Sequence, residues 1–312
     1  MPRWFYTPDM TNHKKLIEEL SRLSTEQSNP DTVDIDRLSA LEIAHKINHE
    51  DKKVASVVQQ ALPHIAKAAE VFAKTIRNGN RVFYVGAGTS GRLGVLDAAE
   101  CPPTFDTDPK QIVGLISGGY DTLVLSMEGA EDRIDEPVAE LKAWGLTPHD
   151  FVIGIAASVR TPYTRTALEY AMEVGARTAF IICNESTDIP AGIDVVIPLP
   201  VGPEVITGST RMKSGTAQKM TLNIISTTAM VLLGKTYGNL MVDLQCNSEK
   251  LVARSQKILI ELFNLSFEEA DNLLISANGS VKTAIVMHKL GCSREKALQR
   301  LDKNDGFISR II

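Results

Sequence analysis

The chain has 312 residues and a formal net charge of -5, with 44% hydrophobic and 23% charged residues. This suits one large domain with a smaller companion, or two of ordinary size, built around ordinary globular cores. The acidic balance argues against nucleic acid and membrane surfaces as partners, because both select a basic field.

Residues 1–55 are polar and charged, with one helical patch around 39–47 and a loop at 24–30. This arm has too few apolar residues to fold alone, so it is expected to pack on the main domain or on a second subunit. At about residue 56 the pattern changes. Val58, Leu62, Ile65, Ala69, Phe72 and Ile76 recur at helical spacing, and Asn78-Gly79-Asn80 ends the run. Residues 81–85 then read as a buried strand, followed by Gly86-Ala87-Gly88-Thr89-Ser90-Gly91-Arg92 and a helix starting at 93–99.

Further strands are predicted at 112–117, 151–156, 178–183 and 195–199. Helices are predicted between them at 131–144 and 163–175, and a long one at 211–233. Short apolar strands alternating with amphipathic helices indicate a parallel sheet covered on both faces, over residues 56–245. Residues 246–312 carry no strand signal and read as four short helices. Two of them open on cap signatures, Ser266-Phe-Glu-Glu and Ser293-Arg-Glu-Lys.

Cys101, Cys183, Cys246 and Cys292 are far apart, which predicts reduced thiols. His45 and His49 share a spacing of four but have no evident third ligand, so no metal is expected. The N-terminus lacks the apolar run of a signal peptide. The longest apolar stretch, 220–234, is short for a bilayer span and contains Asn223 and Ser226, which predicts a buried helix. A cytoplasmic location follows as an expectation.

Gly86-x-Gly88-x-x-Gly91, after a strand and before a helix, satisfies the dinucleotide fingerprint. Two features favour a phosphorylated sugar instead. Thr89 and Ser90 add hydroxyls at a helix N-terminus, which suits a compact phosphate. A second hydroxyl-rich loop, Ser158-Val159-Arg160-Thr161, follows a later strand. Two such loops converge where open α/β sheets bind ligands. The plainer alternative is a pair of tight βα turns.

The block Val85-Gly-Ala-Gly-Thr-Ser-Gly-Arg-Leu-Gly-Val-Leu-Asp-Ala-Ala-Glu-Cys-Pro-Pro-Thr104 resembles the signature of the N-acetylmuramic acid 6-phosphate etherases. So do Met127-Glu-Gly-Ala-Glu-Asp132, the block from Gly202 to Lys219, and Gly238-Asn-Leu-Met-Val-Asp243. The resemblance runs from about residue 36 to 308. It implies a sugar isomerase (SIS) core of flavodoxin-like, doubly wound type and a C-terminal all-helical domain, beside the N-terminal helical arm read above. It also implies a homodimer with its active site near the subunit interface, and no cofactor. One position departs from the family pattern: Val159 stands where that pattern has glycine. A valine there suggests that positive φ is not needed or that the loop has shifted.

The family reaction cleaves the D-lactyl ether at C3 of N-acetylmuramic acid 6-phosphate, giving N-acetylglucosamine 6-phosphate and D-lactate in cell-wall sugar recycling. Such a carbon–oxygen lyase needs a base for the C2 proton and an acid for the departing oxygen. The resemblance assigns Glu100 as the acid and Glu131 as the base. It suggests substrate contacts from Gly88, Thr89, Ser90, Gly91, Ser158, Arg160 and Thr161. Glu204, Ser209 and Lys213 form a third polar cluster at the start of the long helix and are further substrate-contact candidates, with helix capping the plainer reading of Ser209. Because the glycine loop opens the helix that carries Glu100, binding and acid catalysis are expected to form one structural unit. The alternatives are a sugar-phosphate-binding regulator without turnover, as in the related glucokinase regulatory protein, and a sugar-phosphate isomerase.

Overall fold

Alternate residues of the central strands divide between two apolar layers, and this division defines the core. The computed structural model describes residues 17, 21, 23–185, 188–244 and 248–312; Cys246 and the first sixteen residues lie outside them. Five parallel strands, β1 (Val82–Gly86), β2 (Ile112–Ile116), β3 (Phe151–Ala156), β4 (Arg177–Ile182) and β5 (Val195–Pro198), pair in the order β2-β1-β3-β4-β5. Val82 pairs with both Ile112 and Phe151. This is the flavodoxin-like doubly wound order, with its switch point between β1 and β3.

On one face Tyr84, Ile153, Ile155 and Ile181 meet α2 (Leu62–Arg77), α3 (Gly88–Phe105) and α6 (Lys213–Leu232). On the other, Phe83, Val85, Val152 and Phe180 meet Leu141 of α4 (Asp135–Ala143) and Tyr163, Ala167 and Leu168 of α5 (Pro162–Val174). Strand residues buried on both sides read as continuous apolar runs, which is why all five were visible in the sequence.

Several elements differ from the sequence-based expectation. Helix α1 (Ala40–Gln60) runs through residue 55, the expected edge of the arm. A capping box of Ser39 and Glu42 starts it, and Val54 and Val58 bury against the core, so the chain has no reason to break there. Helix α3 begins at Gly88, inside the glycine loop, and extends past Pro102 and Pro103 to Phe105. Glu131 does not begin a long helix. It lies in a 3-10 turn, Ala130–Asp132, and α4 starts four residues later. A small hairpin of β6 (Thr236–Tyr237) and β7 (Leu240–Met241) was not anticipated; two-residue strands carry too little pattern to read.

The arm packs on the main domain. Ser24 Oγ donates to Asn184 Oδ1 at 2.7 Å, and Thr32 Oγ1 donates to the Val205 carbonyl at 2.8 Å. Beyond residue 248, helices α7 (Glu249–Phe263), α8 (Phe267–Ser276), α9 (Val281–Leu290) and α10 (Arg294–Lys303) share a third apolar cluster around Leu259, Ile285 and Leu301. Ser266 and Glu269 form the expected capping box. Lys282 of α9 donates to Asp243 at 2.7 Å, tying these helices to the segment after β7.

Candidate active site

The loops after β1 and β3 open onto opposite faces of the sheet, so a crevice forms between them at its carboxyl edge. Gly88 has φ +54°, a conformation that favours glycine. At Gly91 a Cβ would come within 2.5 Å of the Gly86 carbonyl oxygen, so only glycine lets α3 start so close to β1. The first turn of α3 therefore presents the N–H groups of Gly88, Thr89 and Ser90 without intrahelical acceptors. Thr89 is half-buried. Ser90 is buried, and its hydroxyl donates to Gln218 Oε1 at 2.9 Å, which commits its proton to α6.

Across the crevice, Ser158 Oγ accepts the Arg160 N–H at 3.4 Å, and Thr161 is the N-cap residue of α5 without a side-chain cap bond. Val159 is buried in the second apolar layer, and positive φ is confined to other residues. Its side chain thus serves packing, and the loop needs no glycine there. Val159→Gly is expected to lower unfolding free energy by about 2–4 kcal/mol, through lost burial and a freer unfolded chain. Urea denaturation would register it as a lower midpoint at unchanged slope.

Glu131 hangs from the connection after β2. Ser117 donates to the Ala130 carbonyl, the Gly118 N–H donates to Glu136 at 3.0 Å, and Arg92 of α3 donates to the carbonyls of Thr122 and Leu123. Arg92 therefore braces this loop instead of offering its guanidinium to a phosphate. Tyr120, Val124, Leu125, Met127 and Ile134 are all exposed along the same connection.

Glu100 lies elsewhere. Twelve residues of α3 separate it from Gly88, and at helical rise that is about 18 Å. The loop and Glu100 share a helix, but they do not form the single unit expected from the sequence: within one chain they cannot both grip one hexose phosphate. Glu100 borders a cleft between α3 and α6 that is also lined by Leu93, Leu96, Asp97, Lys219, Leu222 and Asn223. At its base Asp97 is 5% exposed. It accepts from Tyr84 Oη at 2.8 Å, Asn223 Nδ2 at 3.0 Å and Ser226 Oγ at 3.1 Å. Burial pushes the Asp97 carboxyl above the usual carboxylate range, although those three donors oppose the shift. Neither Glu100 nor Glu131 has a hydrogen-bond or ion-pair partner among the described residues, and both are exposed.

The third polar cluster has internal partners. Glu204, fully buried, accepts the N–H groups of Lys213 and Ser214, each at 2.9 Å, and so caps α6. Ser209 does not cap; the cap residue of α6 is Met212, without a side-chain bond. Lys213 Nζ meets Glu50 of α1 at 2.6 Å, both side chains being 2% exposed. Burial opposes ionisation of Glu50, but hydrogen bonds from Lys213 and Lys53 outweigh it and hold its pKa at about 2. Two residues lining the Glu100 cleft, Asp97 and Lys219, were not anticipated from the sequence. The signal for Asp97 was a lone charge inside the apolar run Gly94-Val-Leu-Asp-Ala-Ala.

A doubly wound parallel sheet with two hydroxyl-rich loops at its switch point is the architecture of a SIS-type domain. Residues 64–172 match the glucokinase regulatory protein N-terminal SIS domain family. The wider match is to curated etherases. The chain is 47% identical to N-acetylmuramic acid 6-phosphate etherase of Clostridium beijerinckii over 94% of its length and 96% of the relative's. It is 48% identical to that of Salinibacter ruber, with 98% of each covered, and 49% identical to that of Oceanobacillus iheyensis, with 93% and 99% covered. The chain belongs to the N-acetylmuramic acid 6-phosphate etherase family. Among solved structures, a phosphoheptose isomerase from Neisseria gonorrhoeae is similar at a TM-score of 0.47 and 14% identity, covering 61% of this chain and 99% of that one.

Proposed function

We propose that this protein is a cofactor-independent lyase that releases D-lactate from N-acetylmuramic acid 6-phosphate. The observation that carries the reading is the pair Glu100 and Glu131, two carboxyl groups without partners among the described residues, on a scaffold whose paired loops suit a phosphate and sugar hydroxyls. In this reading the α3 N-terminus with Thr89, and the loop of Ser158, Arg160 and Thr161, hold the sugar phosphate. Glu131 removes the C2 proton of the open-chain aldehyde, Glu100 protonates the leaving ether oxygen, and water adds to the unsaturated intermediate. Glu204 and Lys213 support the site by fixing the start of α6, rather than by touching the sugar.

The span of α3 supports a shared site in a homodimer: the loops and Glu131 from one protomer, Glu100 from its partner. The exposed apolar residues along the Glu131 connection suit coverage by a second copy. A cytoplasmic place of action fits the buried free thiols Cys101 and Cys183. No helix among the described residues is long and apolar enough to cross a membrane. A valine committed to packing gives the regulator alternative no support.

The test is formation of D-lactate and N-acetylglucosamine 6-phosphate by the purified protein; absence of both overturns the reading. Mixing tests the shared site. Glu100→Ala and Glu131→Ala proteins, each inactive, are expected to recover about a quarter of wild-type activity after equimolar subunit exchange, because only one of the two sites in each mixed dimer is intact. No recovery would place both glutamates of a site on one chain.

A further inference from the structure

The cleft beside Glu100, about 210 Å³, joins three kinds of surface. Leu93, Leu96 and Leu222 form an apolar wall, Glu100 supplies a carboxyl group, and Lys219 supplies an ammonium. Lys219 has no carboxylate within ion-pair distance among the described residues, and Glu100 has no cation. Asp97, a buried acid of the same cleft whose charge Lys219 favours from beyond ion-pair distance, has its oxygens occupied by Tyr84, Asn223 and Ser226. An acid and a cation therefore face one small, partly apolar space without pairing with each other.

We infer that this cleft is the lactyl subsite and that Lys219 binds the lactyl carboxylate while Glu100 addresses the ether oxygen. The inference rests on the etherase reading above. In the substrate, the carbon bearing the ether oxygen also carries the carboxylate and a methyl group. The carboxylate carbon and the leaving oxygen are thus two bonds apart, and the cleft offers a partner for each group: ammonium for the carboxylate, acid for the oxygen, leucines for the methyl. A sugar phosphate without the lactyl group offers Lys219 no direct ion pair. Lys219 is then a specificity-determining residue, selecting the ether over its own product. The carboxylate is present in both ground and transition states, so its contact acts mainly on KM.

Lys219→Met is expected to raise KM for N-acetylmuramic acid 6-phosphate by about 10- to 100-fold with kcat nearly kept, the range for a charge-assisted hydrogen bond. Lys219→Arg should restore most of the loss. The substrate analogue with its lactyl carboxylate converted to an amide provides the second arm, read as N-acetylglucosamine 6-phosphate formed. Wild-type protein should disfavour the amide by a similar factor, whereas Lys219→Met should treat acid and amide alike. Thermal midpoints should coincide, because the Lys219 side chain is exposed. An unchanged KM in Lys219→Met, or full discrimination against the amide in that variant, overturns the subsite while leaving the etherase reading intact. Failure of wild-type protein to turn over the natural substrate overturns both, and that result is visible before any variant is made.

Discussion

Glu100→Ala is expected to abolish D-lactate release, with kcat lower by about 10²–10⁴-fold, the usual contribution of a positioned general acid. An ether oxygen leaves poorly as an alkoxide, so removing its proton donor stalls elimination after the C2 proton has gone. Exchange of that proton with deuterium from solvent should therefore persist in Glu100→Ala and vanish in Glu131→Ala. Mass spectrometry of recovered substrate from D2O separates the two roles. Full turnover by Glu100→Ala would sink the assignment of the acid. Folding should be little affected, since Glu100 is exposed and holds no partner among the described residues.

The second large effect concerns stability. Glu50→Gln is expected to lower unfolding free energy at pH 7 by about 3–5 kcal/mol, the cost of leaving Lys213 buried without its counter-charge. The pH dependence has a definite sign. Glu50 has a pKa of about 2 in the folded protein against an ordinary 4.5, so its stabilisation is fully present above about pH 4.5 and is lost as pH falls towards 2. That interval corresponds to about 3 kcal/mol. Urea titrations of wild type and Glu50→Gln should diverge at neutral pH and converge across this window. A constant difference down to pH 2.5 would contradict the role given to this pair. Because Lys213 begins α6 and Glu204 caps it, loosening the pair should also disturb the wall that carries Gln218, Lys219 and Asn223.

How much of this was legible beforehand depends on the range of each interaction. The strands were visible because both of their faces are buried, which leaves unbroken apolar runs such as Phe151-Val-Ile-Gly-Ile-Ala. The caps at Ser266 and Ser293 were visible because they act over three residues. Glu131 was placed in a helix because acidic residues followed by apolar spacing imitate a helix start; the backbone instead turns at Gly129, with φ +74°. Ser209 looked like a cap, but the cap came from Glu204, whose fit depends on the path of an irregular loop. Lys213 looked like a ligand contact, and its partner proved to be Glu50, 163 positions away.

By itself the sequence determined the class of sheet, the two hydroxyl-rich loops and the family, since each is written in local pattern or in contiguous motif. Only the tertiary structure decided that the loop and Glu100 stand about 18 Å apart on one helix. It also decided that Val159 packs inward, that Lys213 is paired, and that Lys219 shares a cleft with Glu100. These are matters of direction and of distance between segments remote in the chain. They are set by how helices pack on the two faces of a twisted sheet, and no window of neighbouring residues encodes them.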